Sequence, residues 1–371
     1  MNRDRLVKTF QELTAIDAPS FDERKMADEL TARLRKLGFV VSEDRAGEYY
    51  GGTAGNLYAS RQGNIPGKPL LFSTHMDTVE PSRGKKAVLH EDGRITSDGT
   101  TVLGADCMAG TAAILEALTE LYEEQACCRD LELLFFIGEE KHLKGSAVFD
   151  FTKVQAEESY ILDLSGPLGT AAGQAPTLID FSITVHGKAA HAGFAPEQGV
   201  HSIKIAAEAM TRIELGRVGD SMTVNIGYIE GGVKATNIVP ECCRLLGEIR
   251  SYSHEQALGE MKRIEKIFQE EAEKAGGSCE ADFTVPIQAY RVQETHPCVR
   301  RFRRACERLK LPVRLVPTFG GSDQSNLARH GISGLVLASA MEQVHSCAEY
   351  TTVSGLETVT ELVKLLMQDA E

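Results

Sequence analysis

Five carboxylates and two imidazoles stand at the ends of apolar runs or where a loop enters a helix, which gives them a chemistry in common. After residues 69–74 come His75-Met76-Asp77, after 131–137 come Gly138-Glu139-Glu140, after 159–162 comes Asp163, and after 333–339 come Met341-Glu342-Gln343-Val344-His345. Asp106, in Leu103-Gly104-Ala105-Asp106, sits where a loop enters a helix. Imidazole mixed with carboxylate suits zinc, manganese or cobalt, whereas an all-oxygen set would suit magnesium or calcium. Two histidines and three carboxylates are too many for one tetrahedral ion. They divide between two ions that share one bridging carboxylate. Asp77, two residues past His75, can turn the same way and orient the imidazole through its second N–H. Glu139 beside Glu140 suggests one carboxylate on metal and the other free as a base. Any one of these placements is weak evidence, since an acidic pair after a strand is usually a solvated loop.

What must position these residues is an α/β scaffold. Leu6, Phe10, Leu13 and Ile16 recur at helical spacing, and Ser20 with Glu23 reads as a capping box before Met26, Leu30 and Leu34. The apolar runs then alternate with helical patterns at 108–124, 293–309 and 352–368. That order predicts a mostly parallel sheet with helices on both faces. In such sheets ligands bind at the carboxyl ends of strands, so the candidate residues would meet in one crevice. Between 177 and 287 the pattern changes to half-exposed strands at 178–186, 222–229, 241–250 and 279–285, with helices at 199–214 and 254–275. This βαββαβ order is the split ferredoxin-like unit, and it predicts an inserted α+β domain. The expected division is a discontinuous catalytic domain, 1–176 with 288–371, and a lid and dimerisation domain, 177–287.

Composition narrows the partners. The chain has 371 residues, enough for two cored domains, with 42% hydrophobic and 25% charged residues. Its net charge of −13 argues against nucleic acid or an acidic membrane surface as ligand. No run approaches the roughly 18 apolar residues of a membrane span, and the first residues show no apolar signal core. Nine cysteines, with vicinal pairs at 127–128 and 242–243, lack disulfide spacing. A reduced, cytoplasmic protein acting on a small substrate is expected.

Taken together, the motifs resemble the co-catalytic di-zinc exopeptidases and amidohydrolases, a family that includes peptidase T, carboxypeptidase G, aminoacylase and succinyl-diaminopimelate desuccinylase. His75-Met76-Asp77 resembles its H-x-D motif, Gly104-Ala105-Asp106 its bridging motif, Glu139-Glu140 its paired acids, Asp163 the ligand of its I-L-D-x-S-G-P-like stretch, and His345-Ser346 its last ligand. The stretches 187–193 and Gly320-Gly321-Ser322-Asp323 are most similar to the peptidase T-like branch. The resemblance implies one Zn2+ on His75, Asp163 and Asp106 and a second on Glu140, His345 and the same Asp106, with water or hydroxide between them; Co2+ or Mn2+ could replace zinc. It implies Glu139 as general base and acid, Asp77 as orienter, and His191 as an oxyanion donor that crosses a dimer interface. Asn237 and Arg250 would bind the substrate carbonyl and carboxylate, with Gly320 and Gly321 lining the substrate site.

Read as bare residues, His191 would be a solvated surface histidine, and Arg250 could simply pair with Glu248. One departure stands out, because Asp106-Cys107-Met108 replaces the family's usual Asp-Asp-Lys or Asp-Met-Lys. The resemblance also implies a cis peptide at Asp106–Cys107, at a cost of about 3 kcal/mol. The expected activity is an aminopeptidase on short peptides such as tripeptides. An amidohydrolase of N-acyl amino acids is the alternative within the same chemistry. A non-catalytic peptide-binding relative would lack the base or a ligand, and none is missing. An exposed edge strand of the inserted domain could pair in a homodimer or stay covered.

Overall fold

The computed structural model describes residues 1–370 and divides into two compact units, Met1–Gln174 with Arg291–Glu371, and Ala175–Tyr290. Over the described residues, the larger unit is built on a nine-stranded sheet. Its order runs Val40–Glu43, Leu57–Arg61, Arg129–Phe136, Ile65–His75, Glu158–Leu164, Ser333–Ala338, Thr170–Ala175 and Tyr290–Arg291, with Arg314–Pro317 also paired to Thr170–Ala175. The four strands from Arg129–Phe136 to Ser333–Ala338 are mutually parallel, and antiparallel partners lie towards the edges.

Both faces of those central strands are buried, which explains their unbroken apolar runs. Leu70, Phe72, Leu133, Tyr160 and Leu335 turn to one core while Leu71, Leu134, Ile161 and Val336 turn to the other. The helices Arg3–Thr14, Ala105–Glu123 and Val353–Gln368 fill the first core. All three parallel strands that end beside His75, Glu139 and Asp163 point their carboxyl ends the same way, as parallel pairing requires.

The chain leaves this unit after Gln174 and returns at Arg291, and Val292 N–H donates to the Gly173 carbonyl at 2.7 Å. The smaller unit is an antiparallel sheet in the order Gly216–Val218, Met222–Gly231, Cys242–Ser251, Thr177–His186, Ser278–Ile287. Along Thr177–His186 the side chains alternate, and Ile179, Phe181, Ile183 and Val185 pack with Ile205, Ala209, Ile264 and Phe268 from the helices Ser202–Met210 and His254–Lys274. Period-two alternation on the strands and helical spacing on the covering helices meet in one core.

One local expectation is corrected. The helix Arg24–Lys36 begins after Glu23, which makes no side-chain cap bond, and Ser20 lies too early to cap it. Phe21 adopts φ 72°, so the chain turns away from a helical entry before the helix starts. Ser20 and Glu23 turn to other partners, described below. The described helices include none long and apolar enough to cross a membrane, and all nine cysteines are free.

Candidate metal centre

His75 ends its strand fully buried, and its ring is held from both sides. Nδ1 lies 2.9 Å from the Asp77 carbonyl, which can only accept, so Nδ1 carries a proton. The Asp77 carboxylate is further away, with Oδ1 at 3.4 Å. On the other edge, Nε2 faces Asp106 Oδ1 at 3.0 Å and Asp163 Oδ1 at 3.7 Å. The second carboxylate oxygen of Asp106 faces the other histidine, with Oδ2 3.3 Å from His345 Nε2, and that nitrogen lies 3.1 Å from Glu140 Oε1. Asp106 therefore stands between two donor sets, His75 with Asp163 and His345 with Glu140. In each set the ligand atoms lie within 4.8 Å of one another. The Asp106–Cys107 peptide is cis, as expected. Cys107 is buried beside the first set and its thiol donates to the Leu162 carbonyl at 2.8 Å.

The turn after Arg129–Phe136 carries Glu139 and Glu140. Gly138 there has φ 54°, and a Cβ on it would come within 2.6 Å of the Phe21 ring, so glycine is required. The Asp77 carboxylate fastens this turn: Oδ1 accepts from Glu139 N–H at 3.0 Å and Oδ2 from Glu140 N–H at 3.2 Å. Ser20 and Glu23 complete the fastening, and sequence reading missed both. Ser20 Oγ donates to Asp77 Oδ2 at 2.7 Å, and Glu23 Oε1 accepts from Gly138 N–H at 3.0 Å and Phe21 N–H at 2.8 Å. A capping box and a tertiary tie share one local pattern, and only the positive φ at Phe21 separates them.

The charges here are unbalanced. Burial pushes Asp163 up to about 7, and its neighbour Asp106 adds to the rise. Burial, reinforced by Asp163 and Asp323, holds Glu139 well above the usual carboxylate range. Burial would depress His75, but the adjoining Cys107 and the carboxylates of Asp106, Asp163 and Asp77 outweigh it and raise it. Hydrogen bonds to Asp106 and Glu140 lift His345 to about 10. Both imidazoles are thus drawn towards their charged form by carboxylates that repel one another. Nitrogen and oxygen donors arranged as two sets around one shared carboxylate fit a pair of divalent ions.

The remaining candidates are not members of either donor set. Gly320 and Gly321 are exposed in the loop before Asp323, whose own carboxyl is buried and pushed up to about 7 by that burial. His191, Asn237 and Arg250 belong to the smaller unit. His191 is exposed and packs against Phe194 with tilted rings, their centroids 4.4 Å apart. Its Nδ1 accepts from Gly193 and Phe194 N–H at 3.1 and 3.2 Å, which leaves the proton on Nε2. Asn237 is exposed, and its carbonyl accepts from Ala192 N–H at 2.9 Å. Arg250 forks onto Glu248, with Nε and Nη2 2.9 and 3.0 Å from its two oxygens.

A two-ion donor set at the carboxyl ends of a parallel sheet defines a metallohydrolase of the co-catalytic kind. Residues 176–276 match the M20 peptidase dimerisation domain and 56–164 match peptidase family M28. The chain is 35% identical over 370 residues to the uncharacterised protein YqjE of Bacillus subtilis, covering all of this chain and 99% of that one. It superposes on the aminopeptidase PepT of Bacillus cereus with a TM-score of 0.96 at 34% identity, covering 100% and 99% of the two chains. A tripeptidase of Staphylococcus aureus gives a TM-score of 0.96 at 33% identity over 99% and 98%. The chain belongs to the co-catalytic metallopeptidase and amidohydrolase family, in its peptidase T-like branch.

Proposed function

We propose that this protein is a cytoplasmic di-zinc aminopeptidase that hydrolyses short peptides, tripeptides among them. The observation that carries the reading is Asp106, whose two oxygens face His75 and His345 and so divide the donors into two sets. His75, Asp106 and Asp163 would hold one zinc, and Asp106, Glu140 and His345 the other, with cobalt or manganese able to replace either. Such ions polarise a carbonyl and bring the pKa of water from about 15.7 to near 7.

The chain's own residues do the rest. Glu139, buried beside the donor sets, takes the proton of the attacking water on its carboxylate and returns it to the leaving amine. Asp77 holds the base in place through the amides of Glu139 and Glu140 while its carbonyl fixes the tautomer of His75. His191 presents Nε2–H, the tautomer that can donate to a developing oxyanion, and in a homodimer formed through the smaller unit it would serve the partner's site. Arg250 would exchange Glu248 for the terminal carboxylate of the peptide, to which its planar fork is matched. Asn237 would hold the substrate carbonyl, and the exposed Gly320-Gly321 backbone would let the peptide approach closely. The match to the peptidase dimerisation domain and the likeness to an aminopeptidase and a tripeptidase support this reading.

The test is hydrolysis of a tripeptide panel and of N-acyl amino acids, with and without chelator, by the wild type and by Glu139→Ala. Chelator-sensitive cleavage of tripeptides, lost in the variant, is expected. Turnover of N-acyl amino acids alone would overturn the reading.

A further inference from the structure

Asp106 lies in a kinked backbone segment that precedes the regular part of the helix Ala105–Glu123: Gly104 has φ 79°, and Asp106 and Cys107 have non-helical φ/ψ of −81°/101° and −115°/22°. Buried amides outside a regular ladder need acceptors. Glu349 supplies them from the far end of the sequence. Its Oε2 accepts from Gly104 N–H at 2.7 Å and its Oε1 from Asp106 N–H at 2.9 Å, with the side chain 1% exposed. An anion on buried backbone N–H groups makes charge-assisted hydrogen bonds, which are the stronger kind.

Glu349 also lies on the loop that carries His345. That loop is closed at its base by the paired backbone bonds of Glu342 with Tyr350, each 3.0 Å. Within it Gln343 and His345 have positive φ, at 52° and 61°, as does Ala340 just before it, at 61°. Non-glycine residues hold that conformation only where the surroundings dictate it. Glu349, next to Tyr350, is the carboxylate that ties this loop to the turn bearing Asp106.

We infer that Glu349 is a positioning residue that couples the two ion subsites, holding the kinked backbone of the shared ligand from the loop of the terminal one. The inference rests on the two-ion reading above. Its consequence is asymmetric. Loosening Glu349 disturbs two of the three ligands of the second ion, Asp106 and His345, but only Asp106 of the first, because His75 and Asp163 are held by their strands.

The experiment is stepwise titration of the metal-free protein with Zn2+ by calorimetry, with elemental analysis of the loaded form, for wild type, Glu349→Gln and Glu132→Gln. Glutamine keeps the shape but turns an NH2 group towards one of the amides. Glu132 is a matched control, since it too is buried and accepts from backbone N–H groups, of Gln155 and Ala156, away from the ligands. Glu349→Gln should weaken the second ion by about 10- to 100-fold, with the first changed much less, while Glu132→Gln loses thermal stability without altering either step. If Glu349→Gln does not fold, Glu349→Asp, which keeps the charge but cannot reach both amides, should show the same bias. Equal weakening of both ions, or two wild-type affinities in a variant as destabilised as the control, overturns the inference. A wild type that binds no second ion overturns the two-ion reading as well.

Discussion

The metal-centre candidates of the larger unit and the candidates of the smaller one are held in different ways. In the larger unit His75, Asp106 and Glu139 are buried and Asp163 nearly so, His75 faces both aspartates, and these groups shift one another's protonation, while His345 alone of the ligand candidates is exposed. In the smaller one, His191 and Asn237 are exposed and Arg250 is paired to a neighbour. The first group is preorganised, its geometry fixed by strand ends before any ligand arrives. The second consists of ordinary surface polar residues whose work begins only when a substrate engages them. Preorganised charge is costly to bury and so demands a compensating ligand, whereas surface donors demand nothing.

That contrast can be broken most decisively at Asp106. Asp106→Asn should remove both ions and reduce peptide hydrolysis to background, as measured by metal analysis beside turnover; two retained ions would show that the sets do not share it. Glu139→Ala should lower kcat by about 10²- to 10⁴-fold with metal content unchanged, and parallel loss of metal would move Glu139 from base to ligand. His191→Ala should cost about 10²- to 10³-fold in kcat, again with both ions bound. If His191 serves the partner's site, a mixture of His191→Ala and Glu139→Ala proteins should regain activity through heterodimers, and full turnover by a proven monomer would refute that role.

A subtler comparison uses protons. Without metal, His345 is raised to about 10 and Asp163 to about 7, so near neutral pH the empty donor set binds protons that a metal must displace. Apparent metal affinity should therefore rise with pH and fall as pH drops below 7. Calorimetry in buffers of different ionisation enthalpy should record net proton release on metal uptake. The smallest expected change is at Ser20, where Ser20→Ala removes one bond to Asp77 and should cost about tenfold or less in kcat, with KM unaffected.

Much of the larger unit was legible because burial on both faces writes an uninterrupted apolar run, and a histidine or acid directly after it marks a strand end. The helices covering the sheet were legible for a similar reason, through apolar residues at helical spacing. What escaped was tertiary. Ser20 and Glu23 satisfied a local capping rule, yet their partners, Asp77 and Gly138, lie far along the chain. Glu349 escaped because the amides it holds, of Gly104 and Asp106, lie far away in sequence. Asp323 was quoted with its glycines but not singled out, and nothing local distinguishes an acid turned inward from one turned to water.

The hydrogen bond from Val292 to Gly173 has a consequence for how the molecule assembles. Bringing His345 to Asp163 looks, along the chain, like closing a very long loop. Once the inserted unit has folded around its own core, its two ends leave from adjacent points, and most of that loop no longer counts as slack. The entropic cost of the closure then approaches that of a short turn. The insertion can accordingly be treated as a cassette: replacing 175–290 by a brief Gly-containing turn should leave a sheet that folds and still gathers its ligands.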